Sequence, residues 1–99
     1  MAAYKNETIT VANSAIGFTA ANIASPAKWG SRVRKAFCTL DTSTGPIRFT
    51  YDGTTPTTTV GHILTAGNYV VIEGEADIAN FRAIRTGSTS GTLIVTYET

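Results

Sequence analysis

Apolar and polar residues alternate along this chain in short runs broken by turn chemistry, and no stretch holds a convincing helical period. Thr8, Ile9, Thr10 and Val11 alternate as a strand with one apolar face would, which predicts a strand over Glu7 to Val11. A second run lies around Ala15 to Thr19. Residues Ala20 to Ser31 are less regular; Thr19 or Asn22 is placed to cap a single helical turn, which Pro26 would stop. Trp29 and Gly30 lead into a strand over Val33 to Leu40, with Ala36, Cys38 and Leu40 on one face and Lys35, Phe37 and Thr39 on the other.

After the loop Asp41 to Pro46, Ile47, Phe49 and Tyr51 point one way and Arg48 and Thr50 the other, predicting a strand over Ile47 to Tyr51. Asp52-Gly53 signals a tight reversal, because glycine supplies the positive φ that such a turn needs. Thr54 to Thr59 is polar and interrupted by Pro56, which suits an extended loop or edge segment. A short strand is expected over Val60 to Leu64, and Ala66-Gly67-Asn68 turns into the most apolar strand, Tyr69 to Glu73. An acidic turn over Gly74 to Asp77 then precedes a strand from Ile78 to Arg85. The Gly/Ser/Thr turn Thr86 to Gly91 leads into Thr92 to Glu98, where Leu93, Val95 and Tyr97 alternate with polar neighbours.

About seven or eight strands at this spacing predict an all-β fold. The linkers are too short for crossover helices, so the sheets should be mainly antiparallel. A small two-sheet β-sandwich with Greek-key or jelly-roll connections is the expected architecture, with a small barrel as the alternative. Residues 1–99 read as one domain without internal repeat, which begins with an irregular arm over Met1 to Lys5 that can order on binding.

Charged residues make up only 15% of the 99, against about a quarter in ordinary chains. Threonine fills the gap and suits the solvent face of a strand. A surface poor in charge is also cheap to desolvate, so an interface is as good an account of it as an ordinary β-domain surface. The net charge of +1 argues against a nucleic-acid binder. The signs are nevertheless segregated: Lys28, Arg32, Arg34 and Lys35 form a basic run around Trp29, and Glu73, Glu75 and Asp77 an acidic one. Solvated faces explain such runs; alternatively they meet across copies or partners and orient the contact. These residues are the candidate interface.

Little in the chain suggests chemistry. The single histidine, His62, sits in Val60-Gly61-His62-Ile63-Leu64, which reads as a turn into a strand, and no nucleophile elbow or glycine cradle is present. One cysteine, Cys38, excludes an internal disulfide and, in Ala36-Phe37-Cys38-Thr39-Leu40, reads as a buried inert thiol. Two Cys/His residues do not make a zinc site. Glu73-Gly74-Glu75-Ala76-Asp77 matches no known calcium loop, and an acidic turn explains it. Trp29, Tyr51 and Tyr69 are candidates for a carbohydrate-stacking platform, with core or edge packing as the ordinary alternative. Arg82 and Arg85 should face opposite ways on one strand. Catalytic residues, cofactors and metals are therefore expected to be absent. With no apolar leader after Met1 and no run of transmembrane length, the expected place of synthesis is a reducing cytoplasm, without membrane partners.

One group of motifs goes further. Ile47-Arg48-Phe49-Thr50-Tyr51-Asp52-Gly53-Thr54, the Thr/Pro segment Thr55 to Thr59, Gly61-His62-Ile63-Leu64, Phe81-Arg82-Ala83-Ile84-Arg85-Thr86-Gly87 and the closing strand Leu93 to Tyr97 together resemble small structural proteins of tailed bacteriophages. The resemblance covers roughly residues 36–98 and leaves the N-terminal third undiagnosed. It implies a virion component, foremost a head decoration or cement protein that bridges major capsid subunits from the capsid exterior. A homotrimer is the expected self-association, with Met1 to Lys5 and Ala20 to Ser31 as lattice contacts. A tail, baseplate or fibre-associated domain and a carbohydrate-binding module for host attachment are the alternatives.

Overall fold

The computed structural model describes residues 3–24, 33–42 and 45–99. Seven strands form two antiparallel sheets. The four-stranded sheet runs β1 (Ala3–Val11), β7 (Gly91–Glu98), β2 (Lys35–Leu40), β5 (Tyr69–Glu73). The three-stranded sheet runs β4 (His62–Leu64), β3 (Ile47–Thr50), β6 (Arg82–Arg85). The all-β, sandwich-like architecture expected from the alternation is what the chain adopts.

The alternation decides what lies between the sheets. In β7, Leu93, Val95 and Tyr97 are fully buried; Cys38 stands opposite Val95 on β2, and Ala36 opposite Tyr97. Small residues on β2 thus make room for the large ones on β7, the complementarity a close-packed core requires. Ile9 and Val11 from β1 and Ile47, Phe49 and Ala83 from the second sheet complete this layer. At its centre Phe18 stacks on Phe81 with ring centroids 4.3 Å apart. Tyr97 meets Phe18 edge-on at 5.5 Å, and Phe49 lies 5.9 Å from Phe81.

Three expectations need correction. The irregular arm foreseen for Met1 to Lys5 becomes strand at Ala3, because β7 extends far enough to pair it, Ala3 with Glu98 and Lys5 with Tyr97 across a bulge. The strand expected around Ala15 to Thr19 is reduced to a single bridge, in which Ile16 and Ala83 exchange two backbone hydrogen bonds of 2.9 Å. Gly17 lies so close to the Phe81 carbonyl that an added Cβ would sit 2.7 Å from it, and Phe18 then turns into the core. The segment covers the β6 edge instead of forming another strand.

The acidic turn and the first half of the strand expected over Ile78 to Arg85 are a short helix, α2 (Glu75–Asn80), and only Arg82–Arg85 is strand. Gly74, at φ 96°, turns the chain off β5. Glu75 and Asp77 suit the positive end of the helix, and Ile78 is its one buried anchor. Six residues with one anchor show no period, so the helix was invisible to alternation. The single helical turn expected after Thr19 does form, as α1 (Ala20–Ile23), with Thr19 in the capping position but without a side-chain capping hydrogen bond; Pro26 lies outside the described residues. The Thr19 hydroxyl is used elsewhere, as a donor to Glu7.

That use of Thr19 belongs to a polar knot at the rim of the core. Glu7 stands opposite Val95 on the inner side of β1, in phase with Ile9 and Val11. It accepts hydrogen bonds from Tyr97 Oη (2.5 Å), Asn22 Nδ2 (3.0 Å) and the Thr19 hydroxyl. Partial burial pushes its carboxyl pKa up, but the donated hydrogen bonds outweigh that and hold it below its ordinary value. Burial, and then the bond to Glu7, push the Tyr97 phenol the other way, far up. A carboxyl depressed in the folded state contributes stability above its unfolded value near 4.5, and that contribution disappears as pH falls through the folded value. Glu7→Gln should therefore be less stable than the parent near pH 7, with the gap closing on acidification to about pH 3. Urea midpoints for both chains across that range check this; a gap independent of pH would mean that the carboxylate charge is not what the knot holds.

Candidate functional site

Among the sequence-derived candidates, Lys28, Trp29 and Arg32 lie outside the described residues. The other five gather at one end of the four-stranded sheet. Arg34, exposed, donates its backbone N–H to the Glu98 carbonyl (2.9 Å) and accepts from Gly74 N–H (2.8 Å). Lys35 stands in register with Glu73 on one side and Glu98 on the other. Glu75 and Asp77 follow on α2. The described parts of the basic and acidic runs therefore meet within one copy, as neighbouring strands of one sheet. Opposite charges thus share this corner, which reduces the long-range attraction either run would offer alone.

The outward face beyond that corner is nearly free of charge. It carries Asn6, Thr8 and Thr10 on β1, Thr92, Ile94 and Thr96 on β7, Phe37 and Thr39 on β2, and Tyr69 and Val71 on β5. Phe37 and Tyr69 are 38% and 67% exposed, and their rings touch with centroids 5.7 Å apart. An aromatic pair left open to water on a threonine-covered sheet is the largest unexplained apolar feature on this side.

The second feature is a seam where the two sheets part. A groove of about 380 Å³ runs between β5 and β3/β4, lined by Val70, Val71, Ile72 and Glu73 on one side, Phe49, Tyr51 and His62 on the other, with Asp77 from α2. A further groove of about 450 Å³ shares Tyr51 and His62 and continues along Thr50, Asp52, Thr54, Val60 and Gly61. The His62 ring lies 5.8 Å from Tyr51 and 5.4 Å from Phe49. This wall is held rigidly. Arg48 donates to the carbonyls of Thr58 (3.0 Å) and Gly61 (2.8 Å), the Thr50 hydroxyl donates to the Thr54 carbonyl (2.5 Å), and Asp52 accepts from Thr54 N–H (3.0 Å). That last bond, chiefly, holds the Asp52 carboxyl below its ordinary pKa. The loop over residues 52–61 is thereby tied to β3.

His62 and Cys38 do not share a site. His62 is exposed at the seam, whereas Cys38 is wholly buried and its thiol pKa is pushed by burial up to about 12. Tyr51 and Tyr69 are not brought to one platform either: Tyr51 packs with His62 at the seam, and Tyr69 with Phe37 on the outer face. Arg82 is exposed, and Arg85 turns to Ser90, 3.3 Å away. Among the described residues no group of three or more His, Cys, Asp or Glu is placed to hold a metal ion, and no helix is long and apolar enough to cross a membrane.

The Glu7 knot and the seam both escaped sequence reasoning. A carboxylate in phase with Ile9 and Val11 was the available signal for the first. The seam joins residues far apart in sequence and left none. Comparison with protein-family models, curated proteins and solved structures returns no match for this chain.

Proposed function

We propose that this chain is a non-enzymatic virion structural protein of a tailed bacteriophage, a decoration or cement protein that bridges neighbouring major capsid subunits from the capsid exterior. The observation that carries the docking part is the broad outer face of the four-stranded sheet, threonine-covered, nearly uncharged and opened by Phe37 and Tyr69. Threonine methyls and two aromatic rings lose little on desolvation, and aromatic residues concentrate binding energy at interfaces. The resemblance of the motifs over residues 36–98 to small phage structural proteins is what suggests a virion component. Weak contacts repeated over a lattice then add by avidity, without chemistry. A homotrimer at local three-fold positions is the arrangement that lattice symmetry favours.

A cryo-EM map of the intact virion tests this. Many copies spread over the capsid, with the Phe37/Tyr69 face turned to the lattice, is the expected result. In co-sedimentation with expanded empty capsids, Phe37→Ser combined with Tyr69→Ser should weaken binding roughly a hundredfold, the scale of two lost aromatic anchors. A few copies in the tail or baseplate would favour the second reading, a tail, baseplate or fibre-associated domain, which the same face supports. Absence from the particle would reject both.

A further inference from the structure

The seam offers a different kind of contact from the flat outer face. Successive side chains of a strand point to opposite sides, so a cavity lined by four consecutive residues, Val70 to Glu73, runs along the backbone edge of β5. That edge is the outer one: β5 pairs with β2 on its other side and ends the sheet. The chain protects a comparable edge elsewhere, since Ile16 and Ala12 bond to Ala83 and Arg85 along β6. Among the described residues no strand does this for β5.

We propose that the seam takes an extended, lysine- or arginine-bearing segment of a partner polypeptide as an added strand on β5. The proposal rests on the docking reading above and names the partner chemistry at one place on the surface. Two features select that occupant. Backbone N–H and C=O groups along an open edge are satisfied by another strand, and strand addition is a recurring mode of peptide capture. Opposite them stand the rings of Phe49, Tyr51 and His62, with Tyr51 40% exposed, while Glu73 and Asp77 line the same groove and, among the described residues, no lysine or arginine does. Ring faces beside carboxylates suit a cationic side chain, which gains from both. A sugar would use the rings but leave the strand edge unpaired. Glu73 also faces Lys35 across the strand pair, so both acids must be neutralised to remove the charge from the groove.

The test is an amide NMR titration of the intact chain with an acetylated, amidated peptide of about eight residues, a usual strand length, alternating valine and threonine around two lysines. The same peptide with glutamates for the lysines and an N-acetylglucosamine disaccharide serve as comparison probes. Saturable shifts at Val70 to Glu73, Tyr51 and His62 with the lysine peptide alone are expected. The double variant Glu73→Gln, Asp77→Asn, its fold checked by its own amide spectrum, should bind about tenfold more weakly. The proposal is overturned by no saturable binding, by equal binding of the glutamate peptide, by unchanged affinity in the double variant, or by disaccharide binding at these residues in place of peptide. Loss of the capsid-docking reading would appear as wild-type chain that fails to sediment with capsids. A null titration beside intact capsid binding rejects the seam alone.

Discussion

Phe81→Ala is expected to cost about 3–5 kcal/mol, the usual range for emptying a phenylalanine site in a closed core. Phe81 is 2% exposed and its ring touches both Phe18 and Phe49, so its removal takes away the side-chain packing between the segment before α1 and the three-stranded sheet and leaves only their backbone hydrogen bonds. The loss is large because neither neighbour can collapse freely into the gap. Phe18 follows Gly17, whose backbone already lies against the Phe81 carbonyl, and Phe49 is fixed in β3 between β4 and β6. Domains of this size have roughly 5–15 kcal/mol in hand, so the variant should fall to the margin of folding, with a urea midpoint far below the parent's. Phe81→Leu, which keeps most of the volume, should lose much less. Equal midpoints for Phe81→Ala and the parent would show that the stacked rings are not the centre of the core.

The second large effect is expected at Gly91, where β7 begins. A Cβ there would lie 2.5 Å from Ile47 Cγ2 and 3.3 Å from Leu40 Cδ1, with both neighbours buried. The Ile47 methyl is carried directly on Cβ, two bonds from the strand backbone, and has no room to swing, so relief must come from a shift between the sheets. Gly91→Ala should cost about 1–3 kcal/mol by overpacking. The diagnostic is coupling. Ile47→Ala removes the obstructing methyl, so the double variant should be destabilised by less than the sum of the two single changes, by about 1 kcal/mol or more. Strict additivity in chemical denaturation would place the strain elsewhere.

These two sites also show what was legible beforehand. Strands with one apolar face declared themselves: the inward sets Ala36, Cys38, Leu40 and Leu93, Val95, Tyr97 are the ones alternation predicted, and both are buried. Turns announced by glycine also hold, with Gly53 and Gly67 at φ 92° and 84°. Alternation fails where burial depends on a single anchor. Ile78 holds α2 and Phe18 holds the segment before α1, and one anchor is compatible with helix, strand or loop alike. Candidate site residues were legible as charge runs but not as geometry. That Lys35 lies between Glu73 and Glu98 is a property of strand order, which no local pattern encodes. The seam depends on two sheet edges diverging, a tertiary fact with no sequence period.

The sealed position of Cys38 has a practical side. Its thiol is wholly buried and pushed up to about 12, so in the native chain it offers almost no thiolate to a maleimide or a gold reagent. A cysteine placed on any exposed threonine would then be the only reactive sulfur in the molecule. The wild-type background can be tagged at one chosen point without first deleting a residue that fills the space opposite Val95. Fluorophores on the outer face and at the seam would report separately on which surface is occupied when the chain meets its partner.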